Sequence, residues 1–365
     1  MTKDSDAARK ALLKPLVVQQ EILRSDYLST GSTLLNMACT GKPYGGFLKG
    51  HYFFIVGDSA SGKTFLSLTC FAEAAINKHF DDYRLIFDNV EGGALMSLRK
   101  FFGKGVADRL EPPAVDDEGK PVYSATIEDF YFHVDDAQKI GKPFVYVLDS
   151  MDALSSLYEK KKFDEKKKAS RGGPVAKGDY GDGKAKSNST MLRKVLSGIH
   201  KTGSILILIS QTRDNVGGGP FEPSKVRSGG RALKFYCGLE LWSSVRGMIK
   251  KTVKGKPRKI GVKVKVQVQK NRIQGKDRTI ELPIHYSMGI DDLGSCVDFL
   301  VEEEYWPATN GMIVADDLDL KGKRETLIRK IEEGGLEKDL RELVTDVWNE
   351  IEKACEVKRK PRYPR

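Results

Sequence analysis

The chain has 365 residues, 40% apolar and 30% charged, which excludes a globally disordered polypeptide and leaves room for two domains or one large domain with attachments. Sixty-one Lys and Arg against 50 Asp and Glu give a net charge of +11, a balance that suits a polyanionic partner without naming it. Five scattered cysteines without a CxxC pair and five unclustered histidines indicate neither a disulfide framework nor a zinc site.

Along the chain, residues 1–28 mix charge with a short apolar stretch broken by Pro15 and read as a small helix and arm. Continuous apolar runs at 51–56, 84–87, 144–148 and 204–209 read as strands. Segments 64–76, 127–140 and 190–200 between them read as helices. Buried strands alternating with helices predict an α/β fold with a mainly parallel sheet covered on both faces. Segments 239–245, 261–268 and 278–283 alternate with period two, which predicts antiparallel strands at the sheet edge.

Two segments, 159–188 and 212–231, are rich in Lys, Arg, Gly and Pro and poor in apolar residues, and they read as long loops that cannot pack a core. Leu336, Leu340, Leu343, Val347 and Ile351 fall at helical spacing, so 301–356 reads as a small helical region ahead of a basic tail, 357–365. The resulting division is an arm at 1–28, a core at 29–300, and these two C-terminal parts. No apolar run is long enough to span a membrane, and the N-terminus lacks the apolar core of a signal peptide, so the expected location is cytoplasmic with no membrane partner.

Gly57, Asp58, Ser59, Ala60, Ser61, Gly62, Lys63 and Thr64 match GxxxxGK(S/T) between an apolar strand and a helix. Glycines let backbone N–H groups turn around phosphate oxygens, and the helix N-terminus adds positive potential. Lys63 has the reach for the β and γ phosphates, and the Thr64 hydroxyl suits Mg²⁺. These features point to ATP with Mg²⁺. Asp149, ending the strand FVYVLD, is the candidate second magnesium carboxylate, directly or through water; otherwise it is a helix cap. Glu91, just past the strand RLIFD, sits where a ligand crevice opens in such sheets and is a candidate for activating water, with Asp88 as the competing carboxylate. Gln211, ending SILILISQ, is placed to sense the γ-phosphate and to pass its position to the glycine-rich segment that follows.

Taken together, LSTGSTLLNMACTGKPYGGFLKG leading into GDSASGKT, YVLDSMDAL, LISQTR, SGGRALKFY and VQVQKNRI resemble a RecA-type recombinase over roughly residues 28–300. The resemblance implies a RecA-type ATPase core that forms a helical filament on single-stranded DNA and exchanges strands with homologous duplex DNA, with DNA-stimulated conversion of ATP to ADP and phosphate. It implies that Glu91 polarises the attacking water and that Gln211 couples ATP to DNA. Lys270 and Arg272 would act on the γ-phosphate of the neighbouring subunit, with Lys234 and Phe235 at the same ATP-bridged interface. DNA would meet Arg193 and, in the second loop, Arg213, Phe221, Lys225, Arg227, Gly229, Gly230 and Arg231. The 1–28 arm would dock on the next subunit, and single-strand-binding or loading proteins become candidate partners. The implied setting is a bacterial nucleoid or a phage-infected cell.

Three features depart from the family pattern. FDNVEGG carries one extra residue between its Asp and Glu, leaving Glu91 and Asp88 both open as the catalytic carboxylate. The first loop is longer and more basic than in familiar bacterial members, and it reads either as a DNA contact or as a solvated insertion. The chain ends basic, either as an accessory DNA arm or as a loose end. An ATP-responsive single-strand binding and annealing protein is the rival reading; a ring helicase and a scaffold ATPase fit the motifs less well.

Overall fold

The computed structural model describes residues 22–94, 96–171, 183–215, 225–227, 230–359 and 362. The sequence expectations for residues 1–21, the inner parts of both basic segments, Phe221, Gly229 and most of the basic tail lie outside these.

Among the described residues the main sheet has nine strands: β1 (Tyr52–Gly57), β2 (Arg84–Asp88), β3 (Phe144–Leu148), β4 (Ile205–Asp214), β5 (Lys225–Arg227), β6 (Leu239–Val253), β7 (Lys256–Asn271), β8 (Thr279–His285) and β9 (Gly289–Ile290). Their order is β9-β8-β7-β6-β1-β4-β3-β2, with β5 attached to β4. The five strands β6-β1-β4-β3-β2 are parallel, and β6 to β9 continue antiparallel. The expected α/β class and antiparallel edge are both present.

Alternation through the strands explains the two-faced burial. Phe53 and Ile55 enter one apolar cluster, while Tyr52, Phe54 and Val56 enter the other. Helix α1 (Lys63–Ile76) packs on the first face. Helices α2 (Ile127–Lys139) and α4 (Gly183–Thr202) cover the second. The start of α2 is fixed by a capping box, in which Thr126 accepts from the Asp129 amide and Asp129 accepts from the Thr126 amide.

The first basic segment differs from its reading as a loop. Helix α3 (Leu157–Ala169) occupies its beginning, and α4 starts at Gly183 rather than near residue 190. The cause is local. Ser156 and Glu159 form a second capping box, the interior is mostly Lys and Glu, and Lys166, Lys167 and Lys168 meet the negative end of the helix dipole. No residue of α3 is buried, so propensity and capping form it rather than a core face.

The second basic segment also departs from a plain loop. Thr212 to Asp214 extend β4, and β5 pairs back on them, with Thr212 opposite Arg227 and Asp214 opposite Lys225. Gly230 and Arg231 begin a short helix, α5 (Gly230–Tyr236). Helix α6 (Asp292–Glu302) closes the stretch read as the core, and the region read as helical, 301–356, contains α7 (Arg324–Gly334) and α8 (Glu337–Ala354). Between α6 and α7 it also holds an antiparallel sheet of Ala308–Thr309, Met312–Ala315 and Leu320–Lys323, too short to register as an alternating pattern.

Candidate functional site

The parallel register brings the motif residues together at one end of the sheet. Gly57, where β1 becomes the phosphate loop, stands beside Gln211 of β4 and Ser243 of β6. Asp88 at the end of β2 stands beside Leu148, so Asp149 emerges next to it. Strand C-terminal ends are where open α/β sheets bind ligands.

Two glycines of the loop are dictated by geometry. A Cβ on Gly57 would lie 2.2 Å from the Ser243 carbonyl oxygen, and Gly62 has φ +81° with Ile284 close by. The loop then opens α1. The buried Lys63 ammonium donates to the carbonyls of Gly57 at 2.9 Å and Asp58 at 2.6 Å. Burial lowers the Lys63 pKa from its ordinary value, with Asp149, Glu91 and Asp58 pulling it back. The Thr64 hydroxyl donates to Asp149 Oδ2 at 2.5 Å. Burial raises the Asp149 pKa, the Thr64 bond opposes this, and the Glu91 charge adds to it. A hydroxyl and a carboxylate meeting at a helix N-terminus, beside a buried ammonium, form a hard-oxygen set that fits Mg²⁺ and a polyphosphate.

The two competing carboxylates have different surroundings. Asp88 is buried, and its oxygens accept from the Ser124 amide at 3.1 Å, the Ser124 hydroxyl at 2.5 Å and the Tyr146 hydroxyl at 2.9 Å. Glu91 is exposed; its Oε1 accepts from the Gln211 side-chain amide at 3.0 Å and from the Ser150 hydroxyl. Its backbone N–H donates to the Asp149 carbonyl at 3.1 Å, which ties it to the magnesium candidate.

The basic residues divide into held and presented groups. Arg227 is 11% exposed; its guanidinium donates to Glu240 Oε1 at 2.7 Å and lies 5.5 Å from the Phe54 ring centroid. Glu240 is fully buried, and Lys234 Nζ lies 3.5 Å from its other oxygen. Arg227, expected to meet DNA, is thus committed to a buried carboxylate. Lys225 is more exposed and donates to Asp58 Oδ2 at 2.5 Å. The Thr212 hydroxyl donates to Asp58 Oδ1, and both bonds hold the Asp58 carboxyl below its usual pKa. Arg213 is exposed, with Asp152 Oδ1 3.7 Å away. Arg193 is exposed on α4 and donates to the Ser189 carbonyl at 2.9 Å.

Lys270 and Arg272 converge on the end of α5. Lys270 Nζ donates to the carbonyls of Lys234 and, at 2.8 Å, Phe235. Arg272 donates to the Phe235 carbonyl at 2.7 Å. Cations at the negative end of a helix are favourably placed. The exposed Phe235 ring lies 5.7 Å from the Arg272 guanidinium. All four residues the resemblance grouped are therefore adjacent on one surface.

Several participants escaped the sequence reading. Asp152 accepts from the Gln211 backbone amide at 2.7 Å, Ser150 holds Glu91, and the Ser243 hydroxyl donates to the Ser61 carbonyl. Glu240 did leave a signal, because a lone carboxylate between Leu239 and Leu241 in an apolar strand must find a buried cation.

Residues 168–291 match the family model described as the RecA N-terminal domain. Protein RecA of Chlorobaculum parvum is 31% identical, across 75% of this chain and 70% of that one. Protein RecA of Chlorobaculum tepidum is 30% identical, across 77% and 71%, and that of Cytophaga hutchinsonii is 30% identical, across 75% and 68%.

Proposed function

The chain belongs to the RecA family, and from that premise we propose that it is an ATP-dependent recombinase that assembles on single-stranded DNA and exchanges strands with a homologous duplex. The observation that carries this reading is the double engagement of β4. Gln211 touches the water-activating candidate Glu91, and the next residue, Thr212, begins the hairpin toward the proposed DNA loop. One strand thus has a contact in each proposed site, which supports a coupling between them through the Gln211 side chain.

In the proposed reaction Lys63 binds the terminal phosphates. Thr64 and Asp149 would hold Mg²⁺, which offsets phosphate charge when bound. Glu91 orients the attacking water and accepts its proton. Lys270 and Arg272, gathered at the end of α5, would face the neighbouring subunit's γ-phosphate, which makes hydrolysis depend on assembly. Such a head-to-tail contact generates an open helical filament when its rotation does not close, and the 1–28 arm is assigned to the same contact. Arg193, Arg213 and Lys225 supply phosphate contacts along DNA.

The test is ATP hydrolysis with and without single-stranded DNA, followed by joint-molecule formation from single strands and linear duplex. DNA-stimulated hydrolysis with joint molecules supports strand exchange. Annealing of complementary single strands without joint molecules moves the assignment to the annealing class. DNA binding without stimulated hydrolysis removes the proposed coupling.

A further inference from the structure

Asp58 contacts both sides of the site described above. Its backbone carbonyl accepts from Lys63 at 2.6 Å and from the Ser61 hydroxyl at 2.8 Å, inside the phosphate loop. Its side chain leaves the loop and meets the hairpin, with one oxygen on Thr212 of β4 and the other on Lys225 of β5. The two strands are paired there, so one carboxylate staples both. Among the described residues, no other phosphate-loop side chain hydrogen-bonds the hairpin.

The same three-residue strand offers a comparison. Its Arg227 sits on a carboxylate with no exposure, whereas Lys225 and Asp58 are 44% and 36% exposed. A buried pair is costly to open because it leaves an uncompensated charge. An exposed pair is worth little and is readily exchanged for another anion. Arg227 therefore anchors the hairpin, while the Lys225 ammonium is exchangeable.

We infer that Asp58 is a positioning residue that stands in for a nucleic-acid phosphate, holding Lys225 and the hairpin against the phosphate loop until DNA competes for the ammonium. The inference rests on the DNA-binding reading. It assigns the coupling a second route, distinct from Gln211. When DNA takes Lys225, the Asp58 side chain is released. When a triphosphate takes Lys63, the Asp58 carbonyl loses its charged donor and keeps only Ser61. Each event loosens the residue that the other also uses, so the two ligands favour one another.

The experiment is fluorescence anisotropy of a labelled oligothymidylate, titrated without nucleotide at low and moderate NaCl. Asp58→Asn is expected to bind about two- to fivefold tighter than wild type at low salt, the range an exposed ion pair is worth. The gap should close as salt screens the wild-type pair. Asp58→Glu, which keeps the carboxylate, should behave like wild type. Thr212→Val, which lies off the loop, should shift affinity in the same direction by less. Hydrogen exchange of the Thr212–Asp214 and Lys225–Arg227 amides should quicken in Asp58→Asn without DNA. Equal affinities of wild type and Asp58→Asn at low salt, or a gap that salt does not change, overturn the latch while leaving the DNA reading standing. Failure of wild type to bind the oligonucleotide overturns the DNA reading, and the latch with it. A loss of fluorescent-ADP binding in Asp58→Asn would mark a loop defect, and Thr212→Val then decides the matter alone: unchanged DNA affinity in that variant overturns the latch.

Discussion

Gln211 donates its side-chain amide to Glu91 at 3.0 Å, across 120 residues of sequence, and fixes its own backbone amide on Asp152 at 2.7 Å. The switch candidate is therefore clamped at its main chain and free to rotate only at its side chain. A side chain rotates on the scale of single bonds, whereas β4 moves only with the sheet. Gln211→Ala should accordingly retain ATP binding and DNA binding measured separately, yet weaken the dependence of one on the other. Comparing DNA affinity with and without a non-hydrolysable ATP analogue checks this. An undiminished ratio in the variant would remove Gln211 from the coupling.

The surroundings of Glu91 and Asp88 give the clearest test of which one handles water. Glu91→Gln should reduce DNA-stimulated turnover by about 10²- to 10⁴-fold, the range for loss of a general base, with nucleotide affinity kept. Asp88→Asn should act on the fold instead, because the hydroxyls of Ser124 and Tyr146 lose a charged acceptor in a buried site. Hydrogen bonds to a charged group contribute about 1.5–3 kcal/mol each, so its melting temperature should fall measurably. The reverse pattern, with a stable but inactive Asp88→Asn and an active Glu91→Gln, would exchange the two assignments.

Lys270→Ala should leave ATP binding by monomers intact and abolish stimulated hydrolysis. The trans arrangement predicts more. Mixed with Glu91→Gln in equal amounts, roughly a quarter of head-to-tail interfaces would join an intact Glu91 to an intact neighbouring Lys270. Two inactive proteins should therefore restore activity on mixing. An inactive mixture of co-assembling variants would place Lys270 and Glu91 in the same subunit's site.

The phosphate loop, the parallel strands and the carboxylate at the end of β3 were legible because each is a local pattern: fixed spacing, a continuous apolar run, a polar residue terminating one. Helix α3 was misread because a run of lysines resembles a solvated loop. Its signal was the Ser156 and Glu159 capping box, which acts through backbone amides rather than burial. The β4–β5 pairing was hidden by glycines and prolines in between. The Asp58–Lys225 bond spans 167 residues, and no local pattern encodes such a meeting. The parallel order of β1 beside β4, with β5 folded back on β4, brings the two together.

Arg227 shows what that costs a sequence-based expectation. Read locally, it is a cation in a glycine-rich DNA segment, so its removal should weaken DNA binding and flatten the salt dependence. Its partner Glu240 is fully buried, and removing one member of such a pair costs about 3–5 kcal/mol. Arg227→Ala should therefore melt well below wild type before any DNA is added, and Glu240→Gln should soften the loss when combined with it. A normal melting temperature with weakened DNA binding would return Arg227 to the DNA surface.

The attachment of the C-terminal helices should respond to acid. Glu352 of α8 accepts from Arg278 Nε at 2.5 Å and Nη2 at 2.8 Å, and from Lys276, so its helix is tied to the segment leading into β8. The Arg278 bonds above all, with Lys276 adding, hold the Glu352 pKa down to about 2. An unfolded glutamate titrates near 4.3. Because the folded value is the lower one, the contribution is fully present above the unfolded pKa and is lost as pH falls through the folded one, here between roughly 4.3 and 2. Glu352→Gln should lower stability at pH 7 by about 1 kcal/mol, because Lys276 and Arg278 are 42% and 33% exposed and solvent screens the pair. The variant's melting curve should converge on that of wild type as the pH falls through about 2, where the wild-type carboxylate takes up its proton. Parallel melting temperatures across that window would mean that Glu352 does not carry the attachment.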